Sequence, residues 1–166
     1  MYSLIFAIVD EESIASWSWF LRHLSTHVVR GRQGICLISD RHAGILGTVD
    51  RLPEWQQPNA YHRFCLRHIR SNFNSKFKNV QLKDLVWLAG TAHQIRKFNA
   101  NIEKIEAINR NARRWLDSIP TEKWSLAHDG GCRWGITTSN HAEVFNSVLK
   151  SARCLPITAC VQLIFY

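Results

Sequence analysis

No stretch of the 166 residues is apolar for long enough to form a membrane-spanning helix, so a membrane partner is not expected. Acids are few: 13 Asp and Glu face 21 Lys and Arg, a formal charge of +8 and a pI near 9.6. That balance favours a polyanionic partner, nucleic acid first. A disulfide framework is also missing. The five cysteines (36, 65, 132, 154 and 160) are odd in number and have no framework spacing, as in a reducing cytosolic or nuclear setting. Repeats and low-complexity segments are absent. The opening "MYSLIFAIVDEES" has no basic flank and turns acidic at once, so it reads as a buried strand rather than a signal peptide.

What is present is a globular composition. Hydrophobic residues make up 46% and charged residues 20%, enough for one domain with a core. "YSLIFAIV" (2–9) suits a strand covered on both faces. Asp10 is then placed to cap a helix whose apolar face is Ile14, Trp17, Leu21, Leu24 and Val28, broken by Gly31 and Gly34. "ICLIS" (35–39) predicts a second buried strand ending at Asp40. "HAGILGTVDRL" predicts a short helix, 59–64 a third strand, and Leu66, Ile69, Phe73 and Phe77 another helix. This βαβαβα order predicts an α/β fold over 1–80. Residues 81–119 carry no strand signal. "LKDLVWLAG" and the Ile95, Phe98, Ile102, Ile105, Ile108 series predict two or three helices there, ended by Pro120. Within 120–166, the turn-rich "AHDGGCRWG" precedes a helix in "TTSNHAEVFNSVLK".

Three groups could carry chemistry. Asp40 stands at the carboxyl end of a strand, where α/β proteins place ligands, and it could equally cap the next helix. Glu143 shares a helix face with Asn140 and Asn146, as a site or as a solvated stripe. Cys65 and His68 have C-x₂-H spacing and could join His128 and Cys132 in a zinc site, or Cys65 could simply pack as a small hydrophobe. The span 61–80 is basic without an acid. Arg63, Arg67, Arg70, Lys76 and Lys78 lie there, and Arg96, Lys97, Arg113 and Arg114 follow in 81–119. All nine are candidate contacts to DNA phosphates.

Together "ICLISDRHAGI", "AYHRFCLRHIRSNF" and "WSLAHDGGCRWGITTSNHAEVFNSVLK" resemble the Mutator-like (MULE) transposases of plants. The resemblance implies a partial RNase H-like α/β fold, with 81–119 as an all-helical insertion between the second Asp and the Glu of an Asp-Asp-Glu triad. It places Asp40 and Glu143 as catalytic metal ligands and Cys65 and His68 in a supporting C-x₂-H motif, with His68 and Asn140 as helpers in the site. It further implies Mg²⁺ or Mn²⁺, with two ions about 3.5–4 Å apart, DNA as partner, nuclear localisation and possible homo-oligomers. The family's first Asp lies on a strand upstream of "YSLIFAIV". The expectation is therefore a truncated core that is inactive as given. The alternative is a domesticated DNA-binding regulator, as the plant far-red-response transcription regulators resemble.

Overall fold

The computed structural model describes residues 5–139, 144, 147, 150 and 154–165. One compact unit covers 7–138; a second comprises 1–6 and 139–166. In the first, α1 (Ile14–Leu24) runs into a π-helical turn, Ser25–Val29. Then come β1 (Ile35–Ser39), α2 (Ala43–Val49), β2 (Ala60–Phe64), α3 (Leu66–Phe77), α4 (Val80–Gly90), α5 (Ile95–Ile108) and α6 (Arg110–Asp117). The described part of the second unit holds α7 (Ile157–Phe165). The molecule is α/β in character.

The sheet has two parallel strands, with Ile35 opposite Ala60 and Ser39 opposite Phe64. Side chains alternate along a strand, so Ile35, Leu37, Ala60 and His62 share one face, and Cys36, Tyr61 and Arg63 the other. The first face meets α1 and α2 in a core of Leu21, Ile45, Val49, Leu52, Trp55 and Ala60. Trp55 closes it by donating its indole N–H to Leu21 O (3.1 Å).

The predicted strand at 2–9 does not form over its described part. Residues 5–9 carry no strand, and Ile8 and Val9 are exposed. A strand needs a partner for its backbone groups, and among the described residues β1 and β2 pair with each other alone. The predicted cap also shifts: Ser13, not Asp10, caps α1, its hydroxyl accepting from Ser16 N–H (3.2 Å). No acid stands in the first turn.

Residues 81–119 are helical as their periodicity implies. Phe98, Ile102 and Ile105 of α5 join Leu82, Leu85 and Val86 of α4, Ile69 and Phe73 of α3, and Leu116 of α6 in a second core. Ile95 and Ile108, at the two ends of α5, are exposed instead. α3 and α4 approach closely at Gly90. A Cβ on Gly90 would lie 2.3 Å from Leu66 Cδ1 and 2.7 Å from Cδ2, and Leu66 is fully buried. Alanine is the better helix former by about 1 kcal/mol, but overpacking costs about 1–3 kcal/mol. Gly90→Ala is therefore expected to destabilise by up to about 2 kcal/mol in urea titration. A stabilised variant would show that the two helices are free to part.

Candidate metal and nucleic-acid site

Asp40 follows the last residue of β1 and is half-buried. Its Oδ1 accepts the His42 N–H (3.1 Å), which tightens the turn into α2. His42, not Asp40, caps that helix: its Nδ1 accepts the Gly44 N–H (3.2 Å). Among the described residues Asp40 Oδ2 accepts no hydrogen bond. It is thus a hard oxygen donor at a strand's carboxyl end, the donor type that Mg²⁺ and Mn²⁺ prefer. Glu12 is also brought to this edge, its carboxylate 3.6 Å from His42 Nδ1. Glu12 lies just before α1, which starts at Ile14.

Ser39 links the two strands beneath Asp40. Its hydroxyl lies 2.8 Å from His62 Nε2. His62 is buried, and burial together with the Lys123 and Arg63 charges lowers its pKa to about 4, against a weaker upward pull from Asp40. The helical insertion reaches the same edge through Arg41, whose guanidinium stacks 5.1 Å from the Trp115 ring centre of α6. Burial pulls the Arg41 pKa down.

Cys65 is fully buried and immediately precedes α3; its N–H donates to Ser39 O (2.7 Å). Leu66 N–H donates to Thr137 O (2.8 Å), tying the 134–138 segment to the start of that helix. His68 is half-buried one turn on. The zinc alternative fails on placement. His128 packs edge-on against Phe98 (4.7 Å) with its Nδ1 3.1 Å from Ser125 Oγ, and Cys132 Sγ meets Arg63 Nη2 (3.2 Å). Among the described residues no three His, Cys, Asp or Glu gather as a metal site. Glu143 and Asn140 lie outside the described residues.

Of the nine cations expected on the surface, Arg67, Lys76, Lys78, Arg96, Lys97 and Arg114 are exposed. Arg70 pairs with Asp84 (2.6 Å) and lies over the Trp87 ring, and Arg113 pairs with Asp117 through both carboxylate oxygens (2.8 Å). Exposed pairs of this kind add little stability, but the paired carboxylates compete with a phosphate for these arginines. Arg63 differs from the expectation outright. It is 4% exposed on the second sheet face, where Nη1 donates to His62 O (3.2 Å) and Nη2 to Asp129 O (3.3 Å).

That face holds what sequence reasoning missed. The "DGGCRWG" turn folds against it around Asp129, which is 3% exposed. Asp129 accepts from Gly131 N–H (2.7 Å) and Arg133 N–H (3.3 Å), and its carboxylate faces Arg133 Nε at 3.6 Å. Arg133, 1% exposed, donates onward to Phe64 O (3.4 Å) and to Lys123 O. Burial lowers the Arg133 pKa and Asp129 opposes this. Desolvation in the same cluster pushes the Cys36 thiol up to about 11. An Asp followed four residues later by Arg, across two glycines, was the available signal.

No curated protein and no solved structure matches the chain. A family model does, over residues 1–72, and its description is the MULE transposase domain. The matched span includes β1, Asp40, β2 and the Cys65–His68 motif, so over this part the chain is similar to the MULE transposase domain.

Proposed function

We propose that this chain is part of a DNA transposase catalytic core, with Asp40 and Glu143 as ligands of Mg²⁺ or Mn²⁺ in an RNase H-like site. The observation that carries this is Asp40 itself: a carboxylate at the end of a strand, inside the matched family segment, with one oxygen uncommitted. Bound divalent ions would supply charge stabilisation for phosphoryl transfer and activate the attacking oxygen. The protein's part is positional. The Ser39–His62 contact and the His42 turn hold Asp40 in place, Arg41 on Trp115 fixes α6 beside it, and Arg114 and the other exposed cations hold the DNA backbone. His68 supports the site from α3, and Asn140 accompanies Glu143.

The reading places two triad carboxylates on this chain. By itself it should therefore bind DNA and metal without cutting, since losing one member of a catalytic unit typically costs several orders of magnitude in rate. A domesticated, non-catalytic DNA-binding regulator in the nucleus, alone or as a homo-oligomer, is the second reading; the six exposed cations favour it as much as the first.

Duplex binding should weaken about tenfold to a thousandfold between 50 and 200 mM salt. Affinity that does not change with salt would sink both readings. Supercoiled plasmid incubated with Mn²⁺ should stay intact. Nicking that disappears in Asp40→Asn would show that another residue, Glu12 being placed for it, completes the site.

A further inference from the structure

Trp134 is 87% exposed, more than any other large apolar side chain among the described residues. An indole in water is costly, and its backbone is unusual too: φ is +51°, a left-handed value that non-glycine residues seldom adopt. The turn that imposes this is rigid. Trp134 N–H donates to Gly131 O (3.1 Å), Ile136 N–H to Arg133 O (2.8 Å), and Gly131 and Gly135 take φ values of +82° and +81°. Its foundation is the buried Asp129–Arg133 pair. Strain held on a rigid base, presenting a bare aromatic ring, is a pattern found at binding sites.

Position says what the ring would meet. Arg133 binds the carbonyl of Phe64, the residue opposite Ser39 at the end of the sheet, and Asp40 comes next in the chain. Thr137, three residues after Trp134, holds the start of α3 at that same end. The turn that carries the ring therefore lies against the end of the sheet where Asp40 follows, on a chain of charge +8. A polyanion held there by cations brings its bases with it, and every base has a face that stacks on indole.

We infer that Trp134 is a nucleobase-stacking residue, taking an unpaired base of DNA drawn to the Asp40 edge. This rests on the DNA-binding reading above and adds to it a contact that duplex phosphates cannot make. The probe is a fluorescein-labelled, mixed-sequence single-stranded oligonucleotide read by anisotropy at fixed salt, against the chain, Trp134→Ala, Trp134→Leu and Trp134→Phe. Because the side chain is exposed, all three variants should melt as the parent does. Stacking predicts affinity losses of about 5- to 100-fold for Ala and Leu, recovery toward the parent for Phe, and an unchanged salt slope. Equal affinity in parent and Ala variant overturns the inference, whether or not self-association changes. Equal loss in Leu and Phe overturns it as well. Failure of the parent to bind any DNA would overturn the DNA reading itself, a result distinct from an indifferent Trp134.

Discussion

Asp129→Ala should lose about 3–5 kcal/mol of folding stability, the largest effect of any single substitution considered. The carboxylate neutralises Arg133, the Asp129 backbone carbonyl accepts from Arg63, and the three side chains are each less than 5% exposed. Removing the carboxylate leaves the Arg133 guanidinium in the interior without its counter-charge, and breaking a buried pair from one side costs about that much. It also orphans the buried Arg133 amide, an unsatisfied buried group costing about 1–3 kcal/mol before relaxation. Asp129→Asn keeps an acceptor but not the charge, and should fall between. The joint change Asp129→Asn with Arg133→Met should cost less than Asp129→Ala, because no charge of that pair is then stranded. Urea titrations of the three variants decide it. A loss below about 1 kcal/mol for Asp129→Ala would mean that water reaches the cluster.

Acid should weaken the fold through His62. Its pKa is about 4 folded and near 6.5 in an unfolded chain. The unfolded chain therefore takes up a proton first as pH falls, and stability drops with it. The His62 contribution is complete above about pH 6.5, erodes between there and pH 4, and is constant below. The total is about 3 kcal/mol, from about 1.4 kcal/mol per pKa unit. Burial is the main cause, with Lys123 and Arg63 adding to it, so the effect should survive moderate salt. His62→Gln retains a partner for Ser39 but cannot titrate, and its urea midpoint should vary less between pH 7 and 4.5. An identical pH dependence in parent and variant would place the proton elsewhere.

Strand and helix patterns in the sequence were legible where each element packs in the ordinary way. β1, α2, β2 and α3 form where apolar periodicity changes from two to 3.6, and the helices of 81–119 follow their isoleucine spacing. Pattern alone could not say whether "YSLIFAIV" would find a partner strand, because that depends on pairing rather than on composition. Nor could it show that Arg63 points inward. On a strand the two faces differ by one residue, and it is the distant turn at 129–133 that supplies acceptors for that buried arginine, the Asp129 carbonyl and Cys132 Sγ. The Asp10 cap lost to Ser13 by three residues, since both are good caps and the winner is set by where α1 can lay Leu21 and Trp17 against α2. Of the candidate site, Asp40 and the Cys65–His68 motif were visible as strand-end and helix-start residues. Glu12 and Trp134 were not, because each is placed by a turn.

The central claim is that Asp40 and Glu143 hold one metal. Mn²⁺ binding to the whole chain, followed by electron paramagnetic resonance of the free ion, tests it directly. The account predicts weak binding by the parent and its loss in both Asp40→Asn and Glu143→Gln, with folding intact by circular dichroism. Binding that persists in Asp40→Asn would contradict it.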